Sequence, residues 1–232
     1  MATILETNSV TKKFGGFTAV ENVSLKINAG EIRFVIGPNG AGKSTFFKLV
    51  VGYHSPNSGT ITYKGKNIEK LKLHERINLG MGVKFQAPSV FSELTVLENL
   101  SLANKRENSL NINDLLTDFD LKKEKNNLAG DLSHGKKQWL DIALSTVSKP
   151  ELVFLDEPTA GLSVDETRIT GDIVKNLNKQ GITFIVVGHD MDFVKQTASS
   201  VSLLHLGKIF IEGSVDKVLS DKGVNDIYLG LS

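Results

Sequence analysis

Gly37-Pro38-Asn39-Gly40-Ala41-Gly42-Lys43-Ser44-Thr45 is the stretch around which the chain is organised. It fits Gly-x-x-x-x-Gly-Lys-[Ser/Thr], and both flanks suit the structural context this pattern needs. Ahead of it, Ile32-Arg33-Phe34-Val35-Ile36 is short, β-branched and mostly apolar, the composition of a strand. Behind it, Phe46, Phe47, Leu49, Val50 and Val51 supply the apolar face of a helix. Strand, glycine-rich turn and helix N-terminus together make a phosphate seat. Backbone N–H groups close around the anionic oxygens, and the helix dipole favours negative charge. Lys43 is placed to reach the β- and γ-phosphates, and the Ser44 hydroxyl to ligate Mg²⁺. The stretch reads as a P-loop that binds a nucleoside triphosphate.

The 232 residues suit one large domain with an ample core. Lys and Arg total 27 against 26 for Asp and Glu, so no global basic field draws in nucleic acid. The chain has no cysteine, which removes disulfides and thiolate metal sites and is compatible with a reducing cytoplasm. The N-terminal Met1-Ala2-Thr3-Ile4-Leu5-Glu6 lacks the basic-then-apolar pattern of a signal peptide. No run approaches the ~18 apolar residues of a spanning helix, so any membrane link is expected to run through a partner.

Outward from the P-loop, residues 3–30 read as short strands, with Val20, Val23, Leu25 and Ile27 partly alternating. Thr60–Tyr63 and residues 82–86 read as further strands. From about Thr95 to Pro150 the pattern is helical, interrupted by a polar, Asn-rich loop over residues 106–113. A helix over Lys136–Ser148 carries Trp139, Leu140, Ala143, Leu144 and Val147 on one face, its start marked by Ser133-His134-Gly135. Leu152–Leu155 and Ile182–Val187 are continuous apolar runs, as expected of parallel strands covered on both faces. A helix over Asp172–Lys179 joins them into a βαβ unit, and two short strands and a helix from about Val215 follow.

In open α/β sheets ligands sit beyond the carboxyl ends of the strands, and three such ends here are polar. Asp156 suits a carboxylate that holds hydrated Mg²⁺, and Glu157 suits the orientation or deprotonation of an attacking water. His189 is placed to contact a γ-phosphate, and Gln86 to reach Mg²⁺ or that water. Blander roles remain open for each: Asp156 and Glu157 as helix caps, His189 as a core histidine. Phe14, beside the glycine turn Gly15-Gly16, can either stack on a base or pack on the core. A GTPase would carry Asn-Lys-x-Asp, and Asn178-Lys179-Gln180-Gly181 lacks the Asp.

Taken together, the order and spacing of these elements resemble the nucleotide-binding subunit of ATP-binding-cassette (ABC) transporters over essentially the whole chain. Phe14 matches the adenine-stacking aromatic, Gln86 the Q-loop, Asp156 and Glu157 the Walker B pair, and His189 the switch histidine. Leu132-Ser133-His134-Gly135-Lys136 stands where the family has its signature. The resemblance implies an α/β P-loop NTPase with a RecA-like core sheet, an antiparallel β-subdomain and a helical subdomain. Residues 1–87 and 149–232 would form the core, residues 88–148 the helical part, within one ABC ATPase domain. It also implies that ATP, bound with Mg²⁺, is clamped by the P-loop of one subunit and Ser133 and Gly135 of another. That second ATPase subunit would be an identical copy or a relative.

Within the family, Phe85–Phe91, Leu132–Leu140 and the ending Ile227-Tyr228-Leu229-Gly230 look most like the urea-type subunit of the branched-chain amino acid and urea uptake branch. That likeness implies transmembrane permease partners, indirectly a periplasmic solute-binding protein, and a place on the inner face of the plasma membrane. The alternative is a non-transport ATPase of the same type that clamps another macromolecule. Two departures bear on mechanism: His134 replaces a signature glycine, and Ser163 stands where the D-loop usually has Asp. A protonated His134 beside phosphate would add positive charge.

Overall fold

The computed structural model describes residues 2–104 and 110–229. In chain order the elements are β1 (Thr3–Phe14), β2 (Phe17–Asn28), β3 (Ile32–Ile36), α1 (Lys43–Val50), β4 (Ser58–Tyr63) and β5 (Lys66–Asn67). Then come α2 (Leu73–Asn78), β6 (Met81–Lys84), α3 (Val96–Ala103), α4 (Ile112–Asp118), α5 (His134–Thr146), β7 (Leu152–Asp156) and α6 (Val164–Lys179). The remainder is β8 (Thr183–Val187), α7 (Met191–Thr197), β9 (Ser200–His205), β10 (Lys208–Gly213), α8 (Val215–Leu219) and α9 (Lys222–Leu229).

Two sheets divide the strands. The larger has the order β10-β9-β3-β8-β7-β6, parallel except for the antiparallel edge strand β10. The smaller, β2-β1-β4-β5, is antiparallel throughout. Side chains alternate across the parallel sheet, as strand geometry requires. Ile32, Phe34 and Ile36 of β3 join Trp139 and Leu140 of α5 and Val174 of α6 on one face. On the other, Val35, Phe154 and Ile185 meet Phe46, Phe47, Leu49 and Val50 of α1, which also touch Leu5, Val10 and Ile61 of the small sheet. The P-loop helix is thus packed between the two sheets.

Several boundaries differ from the sequence reading. The strands expected to be short over residues 3–30 are two of 12 residues each. Register shifts near Thr7 and Val10, with Ser9 and Asn22 at positive φ, break the alternation that would have revealed their length. Strand β6 ends at Lys84, two residues short of Gln86. Helix α5 starts at His134 because Ser133 caps it, its Oγ accepting from the Lys136 N–H. Helix α6 starts at Val164, eight residues ahead of the expected Asp172. Its cause was in the sequence: Ser163-Val164-Asp165-Glu166 is a capping box, Glu166 Oε2 accepting from the Ser163 N–H at 2.9 Å. Of the loop expected over 106–113, residues 106–109 lie outside the described residues, and Ile112 and Asn113 open α4 behind the Asn111 cap.

Strand β6 and helix α5 pack with almost no space between their backbones. A Cβ on Gly82 would lie inside the van der Waals envelope of the Ser145 carbonyl oxygen. Gly82→Ala is therefore expected to destabilise the chain by about 1–3 kcal/mol, the usual cost of overpacking. A lowered urea midpoint with an unchanged slope would report it.

Candidate functional site

The loop between β3 and α1 is wedged between two neighbouring backbones. A Cβ on Gly37 would strike the Leu204 carbonyl of β9, and one on Gly42 the Ala19 carbonyl of β2. Their φ angles, 150° and 102°, are also ones that side chains disfavour. The loop and the first turn of α1 border a cavity of about 270 Å³, lined by Asn39 through Thr45, Ala19, Phe17 and Glu157. Lys43 is 6% exposed and donates from Nζ to the carbonyls of Gly37 (2.7 Å) and Pro38 (3.0 Å). Burial pushes its pKa down, against the pull of Glu157 and Asp156.

Asp156 ends β7 at 5% exposure. Its pKa is pushed up to about 6, first by burial and then by Glu157, while Lys84, Lys48 and Lys43 pull it back. A buried carboxylate beside a second carboxylate is short of positive charge. Asp156 and the exposed residues Ser44 and Gln86 offer only hard oxygen donors of the kind Mg²⁺ takes. These residues fit that ion.

Glu157 follows with φ 45°, a left-handed conformation that costs a non-glycine residue about 1–2 kcal/mol. Two main-chain bonds hold it: its N–H donates to Val187 O at 2.8 Å and its carbonyl accepts from Ala160 N at 3.2 Å. The turn brings the side chain to residues that follow two other strands. Gln86 Nε2 donates to Glu157 Oε2 at 3.1 Å, and His189 Nδ1 lies 3.5 Å from Oε1. His189, with 62% of its side chain exposed, is not a core histidine. Nor do Asp156 and Glu157 cap α6, since Ser163 does so.

Ser133 and Gly135 stand apart from this group, and neither lines the P-loop cavity. A Cβ on Gly135 would collide with the Glu166 carboxylate at the start of α6. His134 Nε2 lies 3.0 Å from the Ala160 carbonyl, with its ring against Gly161. One ring nitrogen of the exposed imidazole is thus engaged with the chain's own backbone. Phe14, half exposed, meets the His54 ring edge-on at 5.4 Å, with Lys12 Nζ 5.2 Å from its centroid. It lies outside the phosphate cavity, across the hairpin from Phe17.

Three residues near the site escaped the sequence reading. Phe17 had no separate signal, being one more aromatic beside a turn. Buried Arg76 on α2 donates to the Leu49 (2.9 Å) and Val50 (2.6 Å) carbonyls at the C-terminal end of α1, where positive charge suits the helix dipole. Lys84, 1% exposed, was visible as the one charge in the strand stretch 82–86.

With this arrangement in view, the family model described as ABC transporter matches residues 20–160. The chain is an ATP-binding subunit of the ABC transporter family. This ABC subunit is 31% identical over 249 residues to the high-affinity branched-chain amino acid transport ATP-binding protein LivG of Salmonella typhimurium, with 98% of each chain covered. It is 33% identical over 219 residues to the xylose import ATP-binding protein XylG of Escherichia coli, covering 90% of this chain and 43% of XylG. Among solved structures, the ADP conformation of an ATP-binding cassette of an ABC transporter superposes with a TM-score of 0.88 at 29% identity, covering 99% of this chain and 100% of the other. The ABC subunit binds ATP with Mg²⁺ and hydrolyses it. Among its described residues no helix is long and apolar enough to cross a membrane.

Phe14 stays 45% exposed outside the phosphate cavity. Phe14→Ala is expected to raise the dissociation constant for ATP about five- to tenfold, the value of one aromatic stack. Titration with a fluorescent ATP analogue measures it.

Proposed function

We propose that this ABC subunit energises uptake of a small solute through a membrane permease, with urea as the first candidate and short amides or branched-chain amino acids next. The observation that carries the hydrolytic half is the convergence of Gln86 and His189 on Glu157 beside the P-loop cavity. In this reading the loop amides from Gly37 to Thr45 and Lys43 bind the phosphates, and Phe14 stacks on the base. Ser44, Gln86 and Asp156 serve the Mg²⁺ ion, whose charge offsets that of the phosphates when it is bound. Glu157 takes the proton of the attacking water, and His189 reports the γ-phosphate to the rest of the chain.

Ser133 and Gly135, at the N-terminus of α5 and away from their own chain's cavity, act as the clamp on a second subunit's ATP. That subunit is another copy or a relative. Permease docking fits the helical part over residues 88–148, set against α2 and β6. A cavity of about 290 Å³ lies there, lined by Ile77, Met81, Val83, Ala103 and Leu144 among others. Exposed Ile77, Phe91 and Leu102 add apolar surface of the kind that receives an amphipathic helix. The subunit would then sit on the inner face of the plasma membrane, served from outside by a solute-binding protein. Likeness over Phe85–Phe91 and Leu132–Leu140 supports urea, while the transport named for LivG supports amino acids and that named for XylG a sugar.

Glu157→Gln is expected to bind ATP normally and hydrolyse it at least about a hundredfold more slowly. Near-normal turnover would remove Glu157 from the role. For the solute, cells lacking this chain should lose uptake of radiolabelled urea while keeping leucine uptake; loss of leucine uptake alone would move the assignment to amino acids.

A further inference from the structure

Where β6 and α5 cross, the missing side chain of Gly82 lets the Ser145 carbonyl press onto the strand. Lys84 lies two residues along β6, on the same strand face, and Asp141 lies one turn back along α5, on the same helix face. The two meet as an ion pair, Lys84 Nζ to Asp141 Oδ2 at 3.8 Å, with exposures of 1% and 4%. Lys84 also holds the start of the loop that leaves β6. Its Nζ donates to the Phe85 carbonyl at 2.8 Å, and the Ser89 backbone, farther along the loop, helps draw the Asp141 pKa back down. Gln86, which donates to Glu157, follows directly after the residue that Lys84 holds.

The pair is a poor stabiliser. Asp141 Oδ2 has no hydrogen-bond partner. Burial pushes the Asp141 carboxyl up to about 6 and the Lys84 ammonium down, so both charges resist their surroundings. Apolar contacts such as those of Leu140 and Ile142 are non-directional and would tolerate a small slide of α5 along the sheet. Two opposite charges in a dry seam tolerate none, and fixing a register is the best-attested use of such a pair.

We propose that Lys84 and Asp141 are positioning residues that hold the Gln86 loop and helix α5 in one register, so that Gln86 meets Glu157 and Ser133 meets the second subunit's ATP together. The inference rests on the reading of Ser133 and Gly135 as the second clamp.

The test uses the full chain in a Glu157→Gln background, comparing it with the same chain carrying Lys84→Met and Asp141→Leu together. Binding of a fluorescent ATP analogue to the dilute chain should stay within about twofold, since the P-loop is untouched. ATP-driven pairing, read by sedimentation, should weaken at least about tenfold, and Asp141→Glu alone should keep most of it. Pairing as tight as in the parent overturns the inference while leaving the clamp intact. A parent that does not pair overturns the clamp reading and this inference with it. Should the double variant not fold, hydrogen exchange on the unmodified chain decides. Adding ATP and Mg²⁺ should protect amides of residues 85–89 and 134–141 together, and protection confined to one of these segments overturns the proposal.

Discussion

The nucleotide site depends on a backbone brought closer to its neighbours than any side chain would permit. Gly37 passes the Leu204 carbonyl and Gly42 the Ala19 carbonyl with no room for a Cβ. That wedge fixes where α1 begins and so where its free N–H groups point. An isolated helix of eight residues is marginal in water. Here Phe46, Phe47, Leu49 and Val50, all at most 2% exposed, hold it between two sheets. Each such burial is worth about 1.5–3 kcal/mol against leaving the side chain in water. Arg76 then ties down the far end by bonding the last carbonyls. The P-loop helix is thus held at both ends by the chain's own contacts.

The polar residues of the site follow from the sheet that carries them. Strands buried on both faces have no room for charge along their length, so their polar chemistry collects at the ends. Register decides which ends meet: Asp156 lies opposite Val187, which places Glu157 and His189 just beyond the ends of adjacent strands. Glu157 accepts an unfavourable left-handed backbone to face Gln86 and His189. Strain of this kind persists only where the surroundings over-determine it, and it gathers at functional sites.

The N-terminus of α5 does not border the P-loop cavity of its own chain. The P-loop opens on one cavity, whereas the N-terminus of α5 packs against Gly161 and Glu166 of its own chain. A clamp built from both, as proposed, would need two chains, and the packing of α5 against the sheet would set how the two parts act together. Gly82 allows the close approach there, and the Lys84–Asp141 pair gives it a direction.

The sequence by itself determined the P-loop, the parallel strands and the polar residues at their ends, because each rests on local pattern: glycines at fixed spacing, unbroken apolar runs, a charge where such a run stops. The start of α6 was equally local, in the capping box of Ser163 and Glu166, although the pattern was read there for another role. Only the tertiary structure decided that Phe17 faces the phosphate cavity while Phe14 packs on His54, and that His134 turns to Ala160. It alone brought Lys84 to Asp141 and Arg76 to the end of α1. Those contacts join residues 26 to 57 positions apart in sequence, and no local periodicity records a partner across that distance. Packing chooses it, and packing is a property of the whole fold.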